Sequence, residues 1–406
     1  MRILVCPHLM EIGGSQLNAV ELAGRAAGAG HEVVLFGPDG DLVARVEELG
    51  LEYHRAPVEG AWPSRRNVAA LTSLVRERRI DLVHGYEWGP VTDLGFGPHL
   101  LLGTPMVATV LSMDVPGFLP RHVPLVVGTR ELEESARSRY PRVELMEPPI
   151  DTDLNAPGDT RRARSVFGVG DDDLLLSVVC RLTSDLDKAP GVLEAVAAVE
   201  ALAARFPVRL LVAGDGPALP AVRAAADAVN RRTGRETVIV AGALLDPRAA
   251  YDAADVVLGM GSSALKGLAF AKPLVVQGTA GYWELLTPAT APIFLEQGWF
   301  GAGAGDGVVR LTAAFEPLLA DAGERLRLGA FGRQLVTERF SLAGAAARTE
   351  QLYRRTVADR WPAAGRVRRL AGPAVEVAKF KAVTTSPAVR SLAERRRPAP
   401  AVAVAR

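Results

Sequence analysis

Arg181 and Lys188 stand seven residues apart in CRLTSDLDKAP, directly after an apolar run that reads as a strand. At a strand-to-helix turn both side chains would reach one diphosphate, the guanidinium as a bidentate fork and the ammonium as a mobile point charge. Together they would stabilise a departing diphosphate as negative charge develops on it. The spacing alone suits equally well two solvated charges on a polar loop that already holds Asp185 and Asp187. Three glycine-bearing turns could join them. Gly13-Gly14-Ser15 follows the opening run RILVC and precedes a helical pattern near Leu17. Glycines there let the backbone approach a ligand, and a helix N-terminus offers N–H donors to an anion, although Gly-Gly also suits an ordinary β–α turn. Gly214-Asp215-Gly216-Pro217 follows VRLLVA. The third turn, Gly259-Met260-Gly261-Ser262-Ser263-Ala264-Leu265, follows DVVL and opens an apolar helix. Glycines, hydroxyls and a helix N-terminus coincide there, which makes it the best anion cradle in the chain.

Other residue types carry a weaker message. His84 and Glu87, in DLVHGYEWG, end a strand and could meet a ligand there, although a packed, satisfied histidine fits the same pattern, as it does for His8. Tyr282 and Trp283 either border a bound ligand or pack in a core. No His/Cys/Asp cluster has metal-ligand spacing, and there is neither a DxD run nor a Walker loop, so no essential metal and no cofactor is expected. Cys6 and Cys180 each close a strand and read as two reduced core thiols.

Short turns of this kind need a scaffold of strands that stop at a common edge. RILVC, EVVLF, DLVHG, MVATV and PLVVG are short, β-rich runs, separated by helical patterns such as Val68, Leu71, Leu74 and Val75. Their lack of inside/outside alternation predicts strands covered on both faces, hence a parallel sheet with right-handed βαβ crossovers. After the proline-rich joint EPPIDTDLNAPGD the pattern restarts with LLLSVVC, VRLLVAG, TVIVAG, DVVLG and PLVVQ. Two α/β domains are therefore expected, 1–150 and 151–340, followed by a helix in 341–360 and a basic, weakly ordered tail in 361–406.

Composition narrows the class. The chain has 406 residues, 49% hydrophobic and 23% charged, the balance of a globular protein. Its net charge of +1 hides a tail with ten Lys/Arg against two Glu, which leaves −7 on the first 360 residues. A mildly acidic body argues against nucleic acid as a partner. MRILVCPHLM reads as a strand and not a signal peptide, and no apolar run is long enough to span a membrane, so a cytoplasmic protein is expected.

The segments IGGSQLNAVELA followed by GHEV, DLVH, PPIDTDLNAPG, CRLTSDLDK, LLVAGDGP and YDAADVVLGMGSSALKGLAFAKPLVVQG are each degenerate. Their order and spacing together resemble the retaining GT-B glycosyltransferases of family 4, through nearly the whole chain to residue 356. The resemblance implies two Rossmann-like domains facing across a cleft that holds the active site. It also implies transfer of a hexosyl group from a nucleoside-diphosphate sugar to a hydroxyl acceptor, with retention of configuration. The acceptor would be a glycan, a lipid-linked molecule or a small molecule. Arg181 and Lys188 match the pair that binds the donor diphosphate, with Gly13, Gly14, Gly214, Gly216, Gly261, Ser262, Ser263 and Ala264 as donor-binding candidates.

The chain also departs from that pattern. The family's two glutamates, eight positions apart, fall on Leu258 and Lys266, and its cleft histidine falls on Leu111 and Ser112. A leucine cannot bond a sugar hydroxyl and a lysine reverses the charge. This points to a divergent branch in which Lys266 joins the donor-binding candidates and faces the phosphates, while His84, Glu87 and Asp114 are acceptor-side candidates. A nucleotide-sugar epimerase of the same architecture, or an inactive partner subunit, are the alternatives. The tail, with Val375, Phe380, Val383 and Leu392 among its basic residues, suggests a peripheral contact with the inner membrane face.

Overall fold

A computed structural model describes residues 1–57, 63–112, 114–359 and 363–385. The chain divides into two compact units. The first comprises Met1–Gly128, Leu132–Leu145 and the chain from Glu350; the second comprises Thr129–Glu131 and Met146–Thr349.

In the first unit the apolar runs become strands because each can be buried on both faces. β1 (Arg2–Cys6), β2 (Glu32–Gly37), β3 (Glu52–Arg55), β4 (Leu82–Tyr86), β5 (Met106–Val110), β6 (Leu125–Val127) and β7 (Val143–Leu145) form one sheet in the order β3-β2-β1-β4-β5-β6-β7. Every pairing is parallel, with Ile3 set between Val33 and Leu82. All five residues of β4 and of β5 are buried, as a sheet covered on both sides requires. Cys6 lies in this core, and burial pushes its thiol pKa well up, which suits a packed thiol and not a reactive one.

The second unit repeats the scheme. β8 (Leu174–Val179), β9 (Val208–Ala213), β10 (Val238–Gly242), β11 (Val256–Gly259), β12 (Leu274–Gln277) and β13 (Trp283–Leu285) form a sheet in the order β10-β9-β8-β11-β12-β13. Its pairings are parallel except β12 with β13. Arg209, a charge inside a strand, is buried but fully engaged: it donates to Asp173 at 3.2 Å, Glu236 at 2.8 Å and the Gly168 carbonyl at 2.7 Å. Cys180 is half-buried just after β8, its thiol pKa pushed up to about 12 by burial.

The C-terminal part differs from expectation. The chain rejoins the first unit at Glu350, within the helix Leu342–Ala358. Where the prolines and charges suggest weak order, Ala363–Thr385 is a 23-residue helix with Pro373 inside it. Leu370 and Val377 share one helical stripe and are buried, and Phe380 packs on Phe118 at 5.2 Å and Trp88 at 6.4 Å between ring centroids. A stripe of three apolar contacts on an existing core orders the segment, something no count of prolines reveals. Val375 lies on the outer side, 55% exposed, while Leu392 lies outside the described residues. No helix among the described residues is long and apolar enough to cross a membrane.

Candidate functional sites at the carboxyl ends of the strands

In each sheet the strand order reverses once, between β1 and β4 in the first unit and between β8 and β11 in the second. Loops leaving adjacent strands in opposite directions open a crevice outside the carboxyl ends, which is where open α/β sheets bind ligands. The sequence candidates cluster at these two places.

In the second unit Arg181 and Lys188 come from the loop after β8, and Gly261 and Ser262 from the turn after β11, the two strands that flank the reversal. Arg181 is exposed. Lys188 opens the helix Lys188–Leu202, has a side chain only 15% exposed, and its ammonium pairs with Asp185. The hydrogen bond from Lys188 lowers the Asp185 pKa, so the carboxylate stays charged at neutral pH. The loop backbone turns through two consecutive left-handed residues, Leu186 and Asp187, each at φ 52°. Neither is glycine, so the turn is held from outside. Gln277, at the end of β12 and 1% exposed, donates its amide to the carbonyls of Asp187 at 2.9 Å and Lys188 at 3.2 Å. The Ala280 N–H donates to the Asp187 carboxylate at 2.9 Å. Sequence reasoning missed Gln277; its one signal is a polar residue closing the apolar strand PLVVQ.

The helix Gly261–Ala269 starts one residue after β11. Gly261 has φ 54°, and a Cβ there would meet nothing within 4 Å, so the glycine serves the turn and leaves open space beside it. Ser262 is exposed in the first helical turn, where backbone N–H groups find no partner within the helix. Ser263 has a different task. Its hydroxyl donates to the Val179 carbonyl at 2.6 Å and meets the Tyr251 hydroxyl at 3.0 Å, stapling the helix to the end of β8. Ala264 is buried against β11. Leu258 is fully buried inside β11, so a carboxylate counted eight positions back from Lys266 would point into the core, not into a loop. The Lys266 charge helps lower the Asp246 pKa, whose largest cause is the hydrogen bond from Arg248.

Gly214 and Gly216 serve a close approach of two loops on the side where a Cβ would stand. A Cβ on Gly214 would lie 1.8 Å from the Cys180 carbonyl oxygen, and one on Gly216 2.5 Å from that of Leu182. Both glycines let the loop after β9 lie against the loop after β8, where the Leu182 N–H donates to the Asp215 carbonyl at 2.8 Å. Their effect on Arg181 is indirect. Trp283 is a core residue, its indole donating to Glu194 at 2.7 Å, and Tyr282 is half-buried against Gly301.

In the first unit, Gly13 caps the helix Gly14–Gly28 after β1, and a Cβ on Gly14 would enter open space. His84 is a packed histidine and not an acceptor contact: it is 2% exposed, with Nδ1 2.7 Å from the Tyr353 hydroxyl and Nε2 2.7 Å from the Thr109 hydroxyl. Burial lowers its pKa to about 3, so it is neutral throughout the physiological range. His8 is half-buried near Gln16, and burial lowers its pKa as well. Glu87 is buried at the end of β4 with φ 66° and ψ 179°, a region that only glycine occupies at ease, at a cost of about 1–3 kcal/mol. Its carboxylate is already occupied by the loops after β1 and β5. Asp114 is exposed, and its carbonyl accepts the Trp88 indole N–H at 3.2 Å. Among the described residues no group of three or more His, Cys, Asp or Glu is placed to hold a metal ion.

Residues 12–152 match the profile of Glycosyltransferase Family 4. No curated protein matches the chain. Among solved structures, a glycosyltransferase from Rickettsia africae ESF-5 superposes with a TM-score of 0.70 at 14% identity, covering 88% of this chain and 99% of that one. HepE from Anabaena, solved in complex with UDP, gives 0.66 at 15% identity over 86% and 99%. Sucrose-phosphate synthase from Thermosynechococcus elongatus gives 0.63 at 16% identity over 88% and 100%. The chain therefore has the fold of the GT-B glycosyltransferases, and its residues 12–152 match Glycosyltransferase Family 4.

Proposed function

We propose that the protein transfers a hexosyl group from a nucleoside-diphosphate sugar to a hydroxyl acceptor, with retention at the anomeric carbon. The observation that carries this reading is the convergence of Arg181, Lys188 and the N-terminus of helix Gly261–Ala269 on the β8/β11 reversal. Two cations and a helix N-terminus form a site for a diphosphate, and HepE, of the same fold, is solved with UDP and with UDP-glucose. In transfer the bond from the anomeric carbon to the diphosphate breaks, and the departing oxygen takes the electron pair next to these cations. The acceptor hydroxyl oxygen bonds to the same carbon and its proton passes to the departing diphosphate oxygen. Retention rests on the family resemblance. The test is a thermal-shift panel of nucleoside diphosphates and nucleotide sugars, followed by product analysis with the donors that bind. Stabilisation by none of them would overturn the reading.

Lys266 belongs to the donor site in this reading, one helical turn beyond Ser262. Lys266→Glu is expected to abolish nucleotide binding, seen as loss of the thermal shift. Unchanged or improved binding would remove Lys266 from that site. A second reading is a binding subunit without catalysis, because Lys266 stands where the family resemblance expects a glutamate. Hydrolysis or transfer with any donor excludes it, and likewise an interconverted donor sugar without transfer would indicate an epimerase.

The tail extends the proposal to a peripheral membrane contact. Arg368 and Lys379 are exposed on helix Ala363–Thr385 beside Val367 and Val375, and five more arginines follow in 386–406. Each basic residue near an anionic surface contributes roughly 1 kcal/mol before salt screening. The full chain is expected to co-sediment with anionic liposomes at low salt more strongly than a chain ending at Thr385, and the difference should vanish at high salt. Equal binding by both chains would rule out residues 386–406 as an electrostatic anchor.

A further inference from the structure

We propose that Glu87 is the positioning residue of the acceptor end of the first unit, fixing the loops after β1 and β5 against each other so that they can receive an acceptor. The proposal rests on the glycosyltransferase reading above. Glu87 Oε1 accepts the Ser15 hydroxyl at 2.8 Å, the Leu111 N–H at 2.9 Å and the Ser112 N–H at 3.2 Å, and Oε2 accepts the Ser112 hydroxyl at 2.7 Å. One carboxylate thus ties the helix that starts at Gly14 to the chain leaving β5, from the end of the strand that lies between β1 and β5. The next residue extends the tie, because the Trp88 indole donates to the Asp114 carbonyl and packs on Phe118 at 6.0 Å and Phe380 at 6.4 Å.

Two features argue that this arrangement serves function and is not incidental packing. The backbone of Glu87 sits where a glycine would be relaxed, so a residue chosen for stability alone would not be glutamate. The four donors it gathers lie at the β1/β4 reversal, where a ligand of the first unit would bind, and they use up the carboxylate that the sequence offers as an acceptor contact. With Glu87 engaged, the exposed groups at this end include Glu11, Ile12, the open face of Gly14 and Asp114.

Glu87→Gly deletes the carboxylate without straining the backbone; Glu87→Gln keeps one carbonyl acceptor and serves as the conservative rescue. The Leu111 and Ser112 amides depend on Glu87 for protection, so their hydrogen exchange should accelerate about tenfold to a hundredfold in Glu87→Gly, the equivalent of losing hydrogen bonds to a charged group. The acceptor KM should rise at least about tenfold, and the ratio of donor hydrolysis to transfer should rise with it, as expected when a site no longer positions the acceptor and excludes water. Nucleoside-diphosphate binding should be unchanged, and Glu87→Gln should fall between. The donor and acceptor are those the panel identifies, with UDP-glucose and methyl glucoside as first probes. Unaltered exchange at Leu111 and Ser112 would overturn the proposal, as would faster exchange with an unaltered acceptor KM. Parallel loss of nucleotide binding and melting temperature would reduce Glu87 to a folding role. A parent chain that transfers nothing would instead fail the functional reading, and the exchange measurement, which needs no substrate, would still decide whether Glu87 ties the loops.

Discussion

Arg181→Ala and Lys188→Ala are each expected to slow sugar transfer about 10²–10³-fold, because each removes one fixed positive group from the place where the diphosphate leaves. The fold should survive both changes. Arg181 is exposed, and Lys188 is paired with an Asp185 that is itself 52% exposed, where water screens the pair and limits its contribution to about 1 kcal/mol. Asp185→Asn is the control. It removes the internal partner of Lys188 and should leave nucleotide binding intact or tighter, since the ammonium no longer has to exchange a carboxylate for a phosphate. The measurement is kcat and KM for the donor, alongside the melting temperature of each variant. Activity near that of the parent in both alanine variants would sink the assignment of the donor site to this loop.

Gly214→Ala is expected to have the largest effect on stability. The added methyl would lie 1.8 Å from the Cys180 carbonyl oxygen, and the residue has φ 154°. Neither backbone can move alone, because the Cys180 N–H bonds to the Ala213 carbonyl and the Gly214 N–H to the Gly242 carbonyl. Overpacking and backbone strain together should cost roughly 2–6 kcal/mol in the second unit, seen as a lower denaturation midpoint by circular dichroism. Gly14→Ala is the contrast, with open space at the Cβ and a helical position that alanine favours. It should leave stability unchanged or slightly raised, so any loss of activity there would report ligand approach and not packing. A Gly214→Ala chain as stable as the parent would show that the two loops do not touch as described.

The ten apolar runs from RILVC to PLVVQ, and the restart of the pattern after the proline-rich joint, were legible in the sequence because a doubly covered parallel strand has to be apolar throughout. The turns that carry Arg181, Lys188, Gly261 and Ser262 followed from it, since in this architecture the turn after a strand lies at the ligand-binding edge whatever its partners are. Three strands escaped: EYHR, VEL and WEL are three or four residues long, lie at or beside sheet edges, and keep several side chains partly exposed, so no apolar run marks them. The roles within the turns were decided by tertiary structure alone. Whether a glycine serves a ligand or a neighbouring carbonyl depends on what crosses its missing Cβ, and at Gly214 that is Cys180, 34 residues earlier in the chain. Whether a polar side chain is available depends on distant partners: Tyr353 and Thr109 take both nitrogens of His84, Val179 takes the hydroxyl of Ser263, and Ser15, Leu111 and Ser112 fill the carboxylate of Glu87. Periodicity is a local property and sets where strands end, while hydrogen-bond satisfaction is a long-range one that only the folded chain assigns.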